Sequence, residues 1–400
     1  MNAALKDAIP IQSTRRRRGR KICLWSGAAI GALTLVAFLW LRDIEPPDDR
    51  HAIPNWTLPL DPQNPLAQFQ NWVDANPRFP EVAARVESLL ATNSTSWKWR
   101  EGDRLADSTT PPASPIHYLR AISVLLAASA KEKAAAGQLD EASRDALAIL
   151  RLGRGLSAAE GNCILWLVSN MVAAVGTKSL LEVASQPAAT LEQLAAWQAA
   201  LTTSELTAET WAFALRVEYL SFKNSVSSLD GFLFKPNATL KMYLELMPPM
   251  VTNPNIPWAS TRQICERNEA RLHVEINSLL AFLRGNLIGE QLVNVASFSS
   301  SGLSRRYYQH TARHRISVCQ LALRRYELTH GRLPDSLNDL VPEFFAEVPL
   351  DSFSTAPLRW NVGTKVIYSV GEDGIDAAGD VDLRNPYNGK DLGERYRWTK

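Results

Sequence analysis

Cysteine is scarce: Cys23, Cys163, Cys265 and Cys319 are the only four in 400 residues, and no two have CxxC spacing. Cys23 falls inside an apolar run and the other three allow at most one bridge, so no disulfide framework holds this fold. They read as small core residues. Histidine is nearly as rare, with six in all. His310 and His314 stand four apart on a helical segment, a spacing that can share a metal. With no Glu between them and Arg305, Arg306, Arg313 and Arg315 around them, the pair reads instead as an exposed basic helix face. No G-x-S-x-G elbow, Walker loop or dinucleotide-binding glycine fingerprint occurs, so the usual hydrolase, nucleotidase and dehydrogenase signatures are missing. Widely separated carboxylates cannot be paired from sequence, so a glycosidase reading stays open and unsupported. Trp97 and Trp99 flank Lys98 and could stack a sugar or base, but loop tryptophans more often plug a core edge.

Net charge is small too. There are 43 Lys and Arg against 41 Asp and Glu, a balance of +2, but it is unevenly spread. Residues 1–42 carry eight bases against Asp7 alone, a local +7, which leaves the rest of the chain at −5. A mildly acidic body argues against nucleic-acid binding. At 46% hydrophobic and 21% charged, the composition is that of a globular protein with real cores and excludes wholesale disorder.

The one long uncharged run is Ile22–Leu41, 20 residues with Trp25 and Trp40 near its ends. As a helix it spans about 30 Å, the thickness of a bilayer's hydrocarbon core. A cleaved signal peptide has an apolar core of about 7–15 residues ending in small residues. This run is longer and ends Leu39-Trp40-Leu41-Arg42, which predicts an uncleaved anchor. The basic block Arg15–Lys21 before it, with Asp43, Glu45, Asp48 and Asp49 after it, places the N-terminus in the cytoplasm and the body outside. The expected localisation is the bacterial inner membrane, single-pass, with the lipid bilayer as first partner.

The predicted organisation is a basic tail 1–21, a transmembrane helix 22–41, a Pro-rich linker 42–65, a helical exported domain 66–303 and a terminal module 304–400. Six prolines between 46 and 65 favour an extended spacer holding the body off the membrane. Pro80 opens a short helix, and a polar loop follows from Thr92 to Pro115. Ala- and Leu-rich periodicity then predicts helices 116–136, 140–156, 162–185 and 190–201, joined as antiparallel hairpins. Gly137–Leu150 has a tetratricopeptide flavour without a repeat of that period. Ile164–Gly176 is apolar but too short and too interrupted for a second span, so it reads as a buried helix. Further helices are expected at 204–228, capped by Ser204, and at 260–284, while 285–303 resists interpretation. The fold class is therefore mainly α, closing in a small α+β module.

That module carries the most information. Helix 304–330 puts Ile316, Cys319, Leu323 and Tyr326 on one face and stops at Gly331 and Pro334. A short helix 336–341 and strands 358–361 and 365–370 follow. Next comes Gly371–Asp382, with five acids, three glycines and no base. The ordered set Tyr326, His330, Gly331, Pro334, Leu337, Leu340, Pro349, Asp351, Phe353, Tyr368, Ser369, Gly371, Asp373 and Gly374, with Asp380 or Asp382, resembles the soluble C-terminal half of the type II secretion major pseudopilin.

The resemblance covers residues 312–383. It implies a helix-plus-hairpin module, calcium at Asp373 and at Asp380 or Asp382, and proteins of the envelope or secretion machinery as partners. Calcium takes 6–8 oxygen ligands on flexible loops, and Asp373, Asp380 and Asp382 with backbone carbonyls suit that demand. A solvated acidic turn is the equally open alternative. Ile22–Leu41 lacks the family's leader and glutamate, and Ser352 replaces a turn proline, so an assembling pseudopilin is excluded. The chain resembles long membrane-anchored bacterial proteins that carry such a module. The function expected is binding or scaffolding in the envelope, with no catalytic residue assigned. The alternative is an envelope hydrolase working between helices, which would need a polar cleft with converging titratable groups.

Overall fold

The computed structural model describes residues 42–43, 45–50, 52, 64–76, 78–93, 97, 115–159, 161–229, 234–247, 249–274, 285–382 and 390–398. The expected span 22–41, Trp99, and most of the linker and of the loop 92–115 lie outside these residues. The chain is mainly helical, 63% helix and 5% strand.

Ten α-helices are described: α1 Pro65–Ala75, α2 Val82–Leu90, α3 Pro115–Ala135, α4 Leu139–Ser157, α5 Cys163–Ala184, α6 Leu191–Thr203, α7 Ala208–Ser227, α8 Pro236–Leu246, α9 Trp258–Val274 and α10 Leu287–His330. Local chemistry explains their starts. Asn64 Oδ1 accepts from Leu66 N at 3.1 Å, and Pro65 occupies the first turn, where a missing N–H costs nothing. Thr190 and Gln193 form a reciprocal capping box on α6. The cap expected from Ser204 belongs to Thr207, whose Oγ1 accepts from Thr210 N. Ser204 instead ends α6, donating to Leu201 O at 2.7 Å. Both are small hydroxyls three residues apart, and only the path of the chain separates a start from a stop.

The helix expected at 260–284 is described over 258–274. The uninterpreted stretch 285–303 is helical from Leu287 and continues without a break into the helix expected at 304–330. The result is one helix of 44 residues. The division drawn at residue 303 falls inside it.

Three apolar cores organise the molecule. The first joins α4, α5 and α6 to the C-terminal half of α10 and the sheet, through Leu150, Leu180, Trp197, Ile316, Leu323 and Ile367. The second packs α7, α8 and α9 around the N-terminal half of α10, with Trp211, Tyr219, Tyr243, Trp258 and Tyr308. The third holds α1 and α2 on the α3–α4–α5 hairpins, with Trp97 buried as its plug. Cys163, Cys265 and Cys319 are all buried free thiols, as expected.

The α5 helix is the one described helix long and apolar enough to cross a membrane by length and composition, and it is packed inside the bundle. Its closest neighbour is α4. A Cβ on Gly176 would lie 2.8 Å from Leu150 N, and one on Gly153 would lie 2.9 Å from Ala173 N, so the two helices meet backbone to backbone.

Strands are described only after residue 350. They are β1 Arg359–Asn361, β2 Val366–Ser369 and β3 Leu392–Arg395, antiparallel in that order, with Trp360 opposite Ile367 and Tyr368 opposite Gly393. The sequence of β3, Leu-Gly-Glu-Arg, has no alternation to betray it. Its place comes from β2 and from α10, where Gln320 Nε2 donates to Arg395 O at 3.0 Å.

The linker departs from a simple spacer at its start. Asp43 caps α8, accepting from Asn237 N at 2.6 Å and Ala238 N at 3.1 Å. Asp49 is buried and accepts from Tyr219 Oη and Lys223 Nζ, both at 2.6 Å. Burial works against its charge, but those two hydrogen bonds hold its carboxyl below the usual range.

The α4–α5 contact generates a test. Alanine is the better helix former by about 1 kcal/mol, yet Gly176→Ala must push the two backbones apart. We expect a net loss of about 1–3 kcal/mol, the range for overpacked cores. Thermal and denaturant melts of the full chain in detergent read it; equal or raised stability would mean that the helices part freely.

Candidate functional site

Two regions hold the candidate residues. The first is the acidic loop, and its foundation is Asp351, only 1% exposed. Its carboxylate accepts from Ser369 Oγ at 2.6 Å, Phe353 N at 2.9 Å and Val370 N at 3.0 Å, and Arg359 lies 3.5 Å away. The turn before β1 is thereby tied to the end of β2, where the loop begins. Gly371 follows at φ +68°, and a Cβ there would stand 2.9 Å from Lys390 O, so both backbone and space demand glycine.

Three of the loop's acids are met by the protein's own cations. Glu372 pairs with Arg305 at 3.0 Å and accepts from Gln309 Nε2 at 2.6 Å. Asp376 pairs with Arg359 at 3.0 Å, and the Ala378 N–H foremost keeps its carboxyl below the usual range. Asp380 lies 3.6 Å from Lys390. Asp373 Oδ1 accepts from Ile375 N at 2.9 Å, and Asp382 ends the loop. The carbonyls of Glu372 and Asp373 are taken by Arg262 Nη1, at 3.1 and 2.9 Å.

Sequence reasoning missed Asp391. It is buried just before β3 and accepts from Gly379 N at 2.7 Å and Ala377 N at 3.3 Å. Among the described residues, no group of three or more His, Cys, Asp or Glu side chains is placed to share a metal ion.

The second region is a cleft of about 400 Å³ between α5 and α10. From α5, Leu167, Asn170, Met171, Ala174, Lys178 and Leu181 recur at three- and four-residue intervals and form one wall. From α10, Arg306, Gln309, His310, Arg313, His314 and Ser317 do the same on the other, while Glu394 and Arg397 close one end. Glu394 is paired with Arg397 at 2.9 Å.

His310 and His314 are not the exposed face that their arginine neighbours suggested: they are 8% and 3% exposed. The cause is that α10 is packed on several sides, so residues off its most apolar stripe are also covered. The His310 ring meets Trp166 edge-on at 6.2 Å. His314 Nε2 donates to Leu201 O at 2.9 Å, which leaves Nδ1 as the bare nitrogen, and neither that atom nor His310 Nε2 has a hydrogen-bond partner. Burial, then His314 and Arg313, lower the His310 pKa to about 3. Burial also lowers that of His314, against the pull of Glu205. Both imidazoles are neutral at pH 7.

His330, on the resemblance motif, stacks on Tyr326 at 4.1 Å, its Nδ1 lies 3.2 Å from Tyr326 O, and its ring meets Phe344 edge-on at 6.1 Å.

A scan against protein-family models finds no match, and searches of curated proteins and of solved structures likewise return none.

The neutral histidines set a pH dependence. In the unfolded chain they take protons near pH 6.5, while His310 in the fold resists until about 3. The unfolded state then binds more protons, so stability is full above about pH 6.5 and falls as the pH drops below it. His310→Leu, which removes one such group, should flatten the decline in melting temperature between pH 6.5 and 4. An unchanged slope would show that His310 takes its proton without penalty.

Proposed function

We propose that this chain is a single-pass membrane-anchored protein of the bacterial cell envelope, with its N-terminus cytoplasmic and its body outside, that works by binding or scaffolding. The observation that carries this reading is the docking of the segment after Ile22–Leu41. Asp43 on the α8 N-terminus and Asp49 on Tyr219 and Lys223 fasten the chain to the body within two and eight residues of Leu41. At about 3.3–3.6 Å per residue, two residues reach about 7 Å. On this reading the body hangs directly beneath the span.

The pseudopilin-like stretch supports partners in secretion or pilus-like machinery, because Asp351 and the β1–β2 hairpin form the turn and hairpin that the resemblance implies. A hydrolase reading has one observation in its favour, two imidazoles beside Ser317 in a polar cleft. The arrangement suits binding better. His314 Nε2 is committed to a carbonyl rather than a carboxylate, and Ser317 Oγ donates to Arg313 O at 3.0 Å.

The test is topology. Carbonate-washed membranes should retain the full chain, and protease added to spheroplasts should digest the body. A soluble chain, or a body protected until the cells are lysed, would overturn the reading.

Calcium at Asp373, Asp380 and Asp382 is a separable proposal for the acidic loop, and it requires the ion to compete with Arg262 and Lys390. Millimolar calcium should then raise the melting temperature of the full chain, the added stability reaching about 2.7 kcal/mol at a hundredfold excess over Kd. Asp373→Ala should abolish the rise. A flat response leaves the loop a turn neutralised from within.

A further inference from the structure

We propose that the end of the body where α7, α8 and α10 meet rests on the head-group layer of the bilayer, with Leu229 and Ile288 as its contact residues. The inference rests on the anchored reading argued above and names the surface that faces the lipid. Chain length selects this end. Asp43 is fastened to the first turn of α8, through Asn237 N at 2.6 Å and Ala238 N at 3.1 Å, two residues after the apolar run ends at Leu41. Two residues reach about 7 Å. A bilayer about 40–45 Å thick around a hydrocarbon core of about 30 Å has roughly 5–8 Å of head groups on each side. A span ending at Leu41 therefore brings the start of α8 to the head groups. From there the chain leads away, past Lys241 and Leu244 farther along α8, to Asp49 on Tyr219 and Lys223. The two fastenings set orientation as well as distance.

Three elements meet at this end. Phe222 of α7 stacks on Tyr243 of α8 at 4.2 Å, as in an antiparallel hairpin with Leu229 and Pro236 at its closed end. Asn286, the residue before α10, accepts from Lys235 N at 2.7 Å and donates Nδ2 to Thr239 Oγ1 at 3.1 Å, which sets the start of α10 beside that of α8. Leu229 is 41% exposed and Ile288 43%. Apolar side chains that a water-facing surface leaves bare are covered at the boundary of head groups and acyl chains. The backbone suits a poorly hydrated boundary as well. Pro236 has no N–H, Asn237 and Ala238 give theirs to Asp43, and Thr239 N donates to Lys235 O at 2.9 Å. The first-turn donors of α8 thus do not depend on water. The other end of α10 is unlike it. Exposed Arg332, Asp335, Asp339 and Glu343 follow there, and charges of both signs favour bulk water.

The experiment uses the full chain, one copy per phosphatidylcholine nanodisc, with a bimane label on a single introduced cysteine. Cys23→Ser removes one native thiol, and the other three are buried. The labelled positions are Ile288→Cys, Leu229→Cys and, as the control, Leu328→Cys. Leu328 is as exposed as Ile288, at 43%, but stands 40 residues farther along α10, about 60 Å away. All three are surface positions, so the fold tolerates the change. Lipid carrying a nitroxide on its head group is the quencher, and it acts only at contact range. Labels at 288 and 229 should be quenched about twofold or more beyond the label at 328, as expected of side chains within the head-group layer.

Quenching at either 288 or 229 that is no stronger than at 328 overturns the proposal, whether the face is then bare or kept for another protein. Equal and strong quenching at all three positions does so too, because the body would then lie along the bilayer on its side. Carbonate washing separates this result from the anchor. A chain retained in washed membranes but unquenched at 288 and 229 sinks the face and spares the anchor. A chain released by carbonate yet quenched at those positions does the reverse.

Discussion

Everything in this fold leans on the burial of α10. A helix of 44 residues is about 66 Å long, longer than any one core can cover. It is buried twice over: its N-terminal half lies among α7, α8 and α9, and its C-terminal half among α4, α6 and the sheet. A helix covered on several sides buries some of its polar residues along with the apolar ones. Each must find a partner, lose its charge or border a cavity. Arg315 meets Glu205 at 2.8 Å, Arg305 meets Glu372, and Arg325 donates to Gln198. The two histidines give up their protons and line the cleft.

The same constraint orders the C-terminal loop. Five acids in twelve residues would repel one another and hold the turn open. Instead α9 and α10 deliver Arg262 and Arg305 to it, β1 delivers Arg359, and Asp391 grips its backbone. The loop is closed by partners from other elements, and Val370 just before it and Leu392 on β3 belong to the second core. A module that resembles a small independent unit in its motif is here continuous with the helical body.

The start of the described chain makes a parallel point about charge. Asp43, Asp48 and Asp49 read in sequence as an acidic flank that sets topology. Two of them also have structural roles, Asp43 as a helix cap and Asp49 as the buried partner of Tyr219 and Lys223. One short segment thus carries charges that read as a flank in the sequence and that fasten it to α7 and α8 in the fold.

Local chemistry determined a good deal by itself. Helix positions followed from apolar periodicity, the stop at Gly331 from a left-handed C-cap at φ +69°, and the β1–β2 hairpin from flanking turn residues. The burial of Ile316, Cys319, Leu323 and Tyr326 followed from spacing alone. These features depend on neighbours within a few residues, which a sequence displays directly. What escaped were contacts between distant segments. Helix α10 has no dominant apolar stripe over residues 287–303, and only packing from two sides makes it continuous. The glycines Gly153 and Gly176 look like weak points in helices until α4 and α5 are brought together. His310 and His314 look exposed beside four arginines because sequence shows which charges are near along the chain. It does not show which helix lies across from them. The tertiary structure decided that, because burial and desolvation are properties of the space around a side chain and that space is filled by residues a hundred or more positions away.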